Sequence, residues 1–519
     1  MLARLVTVIV LLAGIAPATL ADQLVFGSFR STQNASNWAQ KLSKMFAQEM
    51  VFHAFERNGE TMYRVTTVSL GTTEFAALGR RADAAGVRYW RLLEDVDHPS
   101  AAPDPGHNRN ALSEVAPRLQ PPVPEPSTAA ENTRSLWDLA VQTRSFAERG
   151  VYGQDQFEAS VSIKLEYFRG WDNDAQSVTF TPFLRIDSAD DERTHGDIRE
   201  LFYSRISDSW DLHVGAKRIF WGVTEFNHLV DIVNQTDLVE NIDTEDKLGQ
   251  PMVQLSMVRD WGIVDVFALV GFRERTFPGE DGRVRLPFEI LDNATYASGA
   301  EQRRVDMALR WSNYMGPIEL GLHHFSGTSR DPMLIPELAS NGDLVLRPHY
   351  PVIDQTGIDA QAFYGDWAFK LEGYTRSGYG DRYAAATVGF ERTLVGVFGT
   401  PADLGLVVEY MFDERDDDAT NTLLEHDIAL GGRLQFNDFA DTRALLGIIL
   451  DTDNHDYIVS LEASRRLSDS WLLSLEGRLF GGGEKVRRNT PAATLLQTQY
   501  KSAWLQEDDY LQLELKKFL

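Results

Sequence analysis

Cysteine is absent from the 519 residues, which excludes disulfides and thiol chemistry. Beyond the N-terminus no stretch holds the ~18 consecutive apolar residues that a membrane-spanning helix needs. Basic residues are outnumbered: 50 Lys and Arg stand against 76 Asp and Glu, a formal net charge of −26. So acidic a chain repels a phosphate backbone, and nucleic acid is excluded as a partner. Motifs that carry chemistry are missing as well. "GGGEKVRR" has glycines without phosphate-loop spacing, and "DTDNHD" lacks the spacing and terminal Glu of an EF-hand loop. His213, His323 and His324 stand beside no evident nucleophile. The chain therefore reads as a non-enzyme, with no catalytic residue, metal or cofactor.

What is present begins with "MLARLVTVIVLLAGIAPATLAD". Arg4 precedes a short apolar run from Leu5 to Ile15, and Thr19-Leu20-Ala21 offers small residues for cleavage. Residues 1–21 read as a secretory signal peptide, which implies export.

Residues 22–93 form the first segment. "QLVFGSF" reads as a strand and "NASNWAQKLSKMF" has helical spacing. "MVFHAFE" and "TMYRVTTVSL" are strands around an Asn58-Gly59 turn. "TTEFAALGRRADAAGV" reads as a second helix, and "RYWRLL" as a last strand. The order is βαββαβ. "FGSF", followed by a helix and then "YRVTTVSLGTTEFAALGRRADAAGV", resembles the SPOR domain of bacterial envelope proteins. That resemblance implies a four-stranded sheet that binds peptidoglycan glycan strands stripped of their stem peptides, as found at division septa. Val25 departs from the family pattern, which often has Gln there. Ser28, Phe29, Tyr63, Arg64 and Trp90 are the glycan-binding candidates the resemblance implies; sugar rings need flat apolar faces beside hydrogen-bond donors.

Residues 94–135 hold Pro99, Pro103, Pro105, Pro117, Pro121, Pro122, Pro124 and Pro126 and show no apolar periodicity. They read as an extended linker, which at ~3 Å per residue spans on the order of 100 Å.

In residues 136–519 the period changes to two. "FEASVSIKLEY", "SVTFTPFLRID", "RVDMALRW" and "WLLSLEGRLF" each alternate apolar and polar residues. About eighteen such strands are predicted. Tight turns such as "RDWG", "YGDW" and "LSDSW" alternate with long joints at about 221–251, 273–302, 327–356, 413–425 and 481–507. Short turns at one end and long loops at the other mark a transmembrane antiparallel β-barrel of the outer-membrane type. The expected fold is mainly β, with the small α+β domain in the periplasm ahead of the barrel. Trp137, Tyr167, Trp210, Trp261, Trp311, Trp367, Tyr383, Trp471 and Tyr510 fall near strand ends, where interfacial girdles are expected. An edge cannot stand open in hydrocarbon, so the last strand must pair with the first. "YLQLELKKFL" resembles the C-terminal strand signal read by the barrel-assembly machinery, with Lys517 interrupting its apolar face.

A barrel of this size encloses an aqueous lumen. Lys164, Arg185, Arg205, Lys217, Arg310, Glu372, Arg376, Glu409 and Arg478 are expected to face it, since a dry core would not hold them. "REL…WDLHVGAKRIFWG" is similar to a pattern of alginate-export-type porin families, which implies passage of polysaccharides or small organic solutes. By that analogy the loop after Trp221 folds inward and brings Glu225, Asn227, His228, Asp231, Asn234 and Gln235 to the pore; the alternative is an outward cap. The acidic stretches 413–421 and 451–456 read as solvated loop tips, or as sites for cations bridging to lipopolysaccharide.

Two functional readings stand at this point. In one, the protein is an outer-membrane channel in contact with lipid and lipopolysaccharide, tethered to the cell wall. In the other, the barrel is a non-conducting anchor whose SPOR-like domain recruits it to denuded septal peptidoglycan.

Overall fold

A computed structural model describes residues 23–29, 36, 39, 42–44, 46, 48–57, 60–67, 78, 90–92, 132–415, 424–482 and 503–519. The expected signal peptide, most of the proline-rich linker, the Asn58-Gly59 turn and most of the 413–421 tip lie outside these residues. The chain divides into two compact units between residues 125 and 126.

In the first unit a four-stranded antiparallel sheet runs in the order Met50–Arg57, Glu60–Thr67, Gln23–Phe29, Trp90–Leu92. Residues 36, 39, 42–44, 46 and 78 are helical. Alternation turns Leu24 and Phe26 to one face of the sheet, where they meet Ala39, Leu42, Phe46, Val65 and Leu78 in a buried core. Tyr63 packs with Phe52 against that core, ring centroids 6.4 Å apart. Arg64 follows it in the strand and takes the opposite face. Tyr63 and Arg64 therefore do not share one surface. Ser28 stands opposite Arg64, Phe29 opposite Tyr63 and Trp90 opposite Val25 in strand register.

The second unit is a closed antiparallel barrel of eighteen strands. Its wall runs Asn132–Phe146, Phe157–Trp171, Gln176–Asp187, His195–Ile206, Trp210–Lys217, Gln250–Arg259, Gly262–Val270, Val305–Met315, Ile318–Thr328, Val352–Tyr364, Trp367–Ser377, Tyr383–Leu394, Asp403–Asp413, His426–Gln435, Arg443–Asp451, Tyr457–Ser468, Trp471–Gly481 and Tyr510–Phe518. Each strand pairs with the next, and Tyr510–Phe518 pairs with Asn132–Phe146 to close the ring.

Period two assigns the faces. Val141, Val161, Ile186, Met307, Val388 and Leu513 are exposed on the outside. Residues of the other parity, such as Gln142, Ser160, Asp306, Thr387 and Gln512, are buried inside. A wall apolar without and polar within is what hydrocarbon on one side and water on the other demand. Lys517, of outward parity, lays its ammonium 5.4 Å from the Trp471 ring, so its charge has a partner on the lipid side.

Two expectations are corrected by local geometry. Arg205 faces outward, of one parity with the exposed Leu201, its guanidinium 5.7 Å from the Trp210 ring. The cause is a bulge: Thr181 pairs with Glu200 but Pro182 pairs with Ile198, so Arg199 is the extra residue and parity switches across it. Tyr383 and Tyr510 face inward rather than joining an outer girdle. Tyr383 packs on Tyr374, and the Tyr510 hydroxyl donates to Glu476 at 2.5 Å.

Candidate functional site

The tightest turns, such as those between Arg259 and Gly262 and between Tyr364 and Trp367, lie at one end of the barrel, and the longest joints, 218–249, 271–304 and 329–351, lie at the other. The joint 218–249, between Trp210–Lys217 and Gln250–Arg259, turns into the lumen. Asn234 staples its root: the side-chain amide donates to the carbonyls of Lys217 and Leu248, both at 2.9 Å, and its oxygen accepts the Ile219 N–H at 2.8 Å. Trp221, Val230, Ile232 and Val233 then pack on inward apolar residues of the adjoining wall, among them Met252, Phe267 and Phe325. The Trp221 ring lies 5.1 Å from His323 and 5.3 Å from the Arg310 guanidinium.

Two wall carboxylates take up the backbone donors of the tip. Glu372 is fully buried. One of its oxygens accepts the N–H groups of Val223 and Thr224 and the Thr224 hydroxyl at 2.6–2.8 Å, and the other accepts the Val230 N–H at 3.1 Å. Glu409, also fully buried, accepts the N–H groups of Glu225 and Phe226 at 2.7 and 2.9 Å. Between them the two side chains satisfy five backbone N–H groups of the loop that have no strand partner.

Phe226 seats on Gly431 and Gly447, where a Cβ at either glycine would collide with its ring. Gly431 lies on His426–Gln435, nine strands from Trp210–Lys217 in either direction around the ring of eighteen. The loop thus reaches the wall diametrically opposite its root. Its return limb is held on the remaining side. The Asn241 amide donates to Glu476 at 3.2 Å, Asp243 pairs with Arg478 at 3.2 Å, Glu240 pairs with Arg185 at 2.8 Å, and Asp237 pairs with Arg199.

A cavity of about 400 Å³ remains between this loop, the joints that follow it and the wall. Glu225, Asn227, His228 and Asp231 line it, with Asn234 at its root. Glu225 pairs with Arg433, Asn227 donates to Thr387 at 3.4 Å, and Asp231 pairs with Lys247 at 3.2 Å. Gln235 is fully buried beneath the loop, its oxygen accepting the Thr236 N–H at 3.0 Å. Of the residues expected on the lumen wall, Lys164 pairs with Asp138 at 2.9 Å and Lys217 donates to Gln254 at 2.9 Å. Arg310 pairs with Asp359 at 2.5 Å, and Arg376 and Arg478 lie at the cavity.

Burial tunes the loop's own acids. It pushes Asp243 up to about 7, outweighing the nearby Arg478, and Asp246 up to about 6. Burial disfavours the charged form of His228, yet Glu245, 3.8 Å away, and the carboxylates of Glu372 and Asp231 hold its pKa above the usual imidazole value. Phe226 and its glycine seat escaped the sequence reading; the one available sign was "ALGGRLQ" followed by "ALLGIIL", glycines where inward polar residues are the rule.

Wall and loop together define a porin-like transmembrane β-barrel with one joint drawn across its lumen. No protein-family model matches this chain, and no curated protein matches its sequence. Among solved structures the chain is similar to OmpT, an outer membrane protein of Vibrio cholerae, with TM-score 0.38, 9% identity and coverage of 75% of this chain and 100% of that one. It is likewise similar to a BenF-like porin from Pseudomonas fluorescens, with TM-score 0.42, 8% identity and coverage of 75% and 98%. For Acinetobacter baumannii OccAB1 the values are TM-score 0.43, 7% identity and coverage of 75% and 96%.

Proposed function

We propose that the barrel is an outer-membrane channel for small solutes, constricted by the 218–249 loop, and that the N-terminal unit holds it to the cell wall. The observation that carries the channel is a closed wall, greasy outside and polar inside, whose lumen keeps a charged cavity of about 400 Å³ beside the loop. A space of this size suits a small organic molecule, and a loop tied to three parts of the wall leaves little room for a polysaccharide coil. Glu225, Asn227, His228 and Asp231 meet the solute, while Asn234, Glu372 and Glu409 set the loop's position.

The N-terminal unit, by its SPOR-like sequence, binds peptidoglycan glycan strands from the periplasm, with Arg64 on the sheet face away from the helices. The short turns then face the periplasm and the long joints face out toward lipopolysaccharide, as expected of a barrel inserted by the assembly machinery. Single-channel recording of the full chain in planar bilayers tests the conduit: discrete open steps are expected, and silence favours the non-conducting anchor. Pull-down of the full chain by sacculi with and without amidase treatment tests the tether; equal binding to both argues against glycan recognition.

A further inference from the structure

Three adjacent wall strands present the cavity with an unusual inward face. In register across Arg443–Asp451, Tyr457–Ser468 and Trp471–Gly481, Ile449 stands opposite Ile458, and Ile458 opposite Phe480. Two residues further from the long-joint end the row reads Gly447, Ser460, Arg478, and two further still it reads Leu445, Glu462, Glu476. Leu445, Ile449 and Ile458 are only half-buried and line the cavity. Alternation places polar residues on most of the inner wall. The Phe226 ring, seated on Gly447, fills the row between Leu445 and Ile449 and lines the cavity with them, so the loop tip and the wall together offer the lumen an apolar flank that a solute's apolar part can cover.

The charges around this strip differ in access. Glu245 is 64% exposed, Glu462 45% and Asp331 36%, whereas Arg376 is 5%, Arg478 8% and Arg415 13% exposed. Each of these arginines is already turned onto a carboxylate of the protein. Arg478 faces Asp243, Glu462 and Glu476, Arg376 faces Asp331, and Arg415 faces Asp413. A solute in the cavity therefore meets carboxylates first, with the cations committed behind them.

From this arrangement we propose that the constriction selects amphiphilic cations: solutes whose apolar body slides along Leu445, Ile449 and Ile458 while an ammonium group meets Glu462 and Glu245. The inference rests on the channel reading and names the solute class of the same site. A carboxylate on the same apolar body meets repulsion at Glu462, and among the described residues the guanidinium groups at the cavity are already paired with carboxylates.

The test uses the full chain in planar bilayers under a KCl gradient, with three probes applied as blockers of the potassium current. They are 2-phenylethylammonium, phenylacetate and ethylammonium, which separate charge from apolar body. Expected are a reversal potential of cation-preferring sign and half-block by 2-phenylethylammonium at a several-fold lower concentration than by either other probe. Glu462→Gln narrows the gap to phenylacetate, and Ile449→Ser with Ile458→Ser narrows the gap to ethylammonium. Anion preference, or block by phenylacetate as strong as by 2-phenylethylammonium, overturns the inference with the wild-type protein alone and leaves the channel standing. Absence of any open step overturns both.

Discussion

Glu372 shows how much of this lumen depends on one carboxylate. It satisfies the N–H groups of Val223, Thr224 and Val230 and the Thr224 hydroxyl from a fully buried position. Glu372→Ala leaves those donors without an acceptor, at ~1–3 kcal/mol for each that stays buried. The cheaper outcome is release of the tip from the wall. Larger and noisier unitary conductance is expected from Glu372→Ala, and a smaller change from Glu372→Gln, which keeps one acceptor oxygen. Gly431→Ala acts on the same tip from the other side. The added methyl enters the space of the Phe226 ring, so the loop lifts and conductance again rises; an unchanged value would mean that the ring has another place to go. Asp243 supplies the pH dependence. With its pKa pushed up to about 7 by burial, it is ionised above that pH and neutral below. Arg478, Glu245 and Asp246 are the charged groups acting on it. Lowering the pH from 8 to 6 therefore removes negative charge beside the pore, and cation preference read as reversal potential is expected to fall. Asp243→Asn flattens that part of the profile.

The strands obey a simpler rule, and it yields a prediction with a sign on each face. Leu513 points outward near the middle of Tyr510–Phe518, and Ser474, on the neighbouring strand, pairs with the inward Glu514. Leu513→Arg places a cation in hydrocarbon, at ~2–4 kcal/mol near the bilayer midplane. Ser474→Arg places the same cation opposite a carboxylate in the lumen. Refolding into lipid vesicles across a urea series is expected to show the first variant destabilised and the second near wild type. This is also the level at which the sequence is most readable. Strand, turn and face follow from period two, because a one-residue slip turns every side chain over. Parity fails only where the backbone breaks its own period, as at Arg199, whose bulge turned Arg205 outward. The inward course of the loop after Trp221 is what the resemblance to alginate-export-type porins implies, with an outward cap as the alternative. Its anchoring was not legible, because Glu372, Glu409, Gly431 and Arg478 lie far along the chain and no local pattern ties them to it. Glu372 in the sequence is one inward acid among many; only the closed ring brings Val223 and Thr224 to it.

The two compact units differ in what stabilises them, and that difference is open to experiment. The first unit has a small apolar core around Leu42, Phe46 and Val65, as a soluble fold requires. The barrel's interior is dominated by ion pairs and hydrogen bonds, and its apolar groups are mainly on the outside. Among the described residues the neighbours of Val65 in the first core are apolar, so a carboxylate there costs several kcal/mol as an unpaired buried charge, a large share of what so small a domain has to spare. The barrel closes through its own eighteen strands, none of them from the first unit, so loss of the first core leaves that ring intact. Val65→Asp in the full chain is therefore expected to abolish capture by amidase-treated sacculi while leaving unitary conductance and reversal potential unchanged. Loss of both functions in that variant would mean that the first unit holds the channel open, and the proposal of a passive tether on a self-sufficient pore would have to be abandoned.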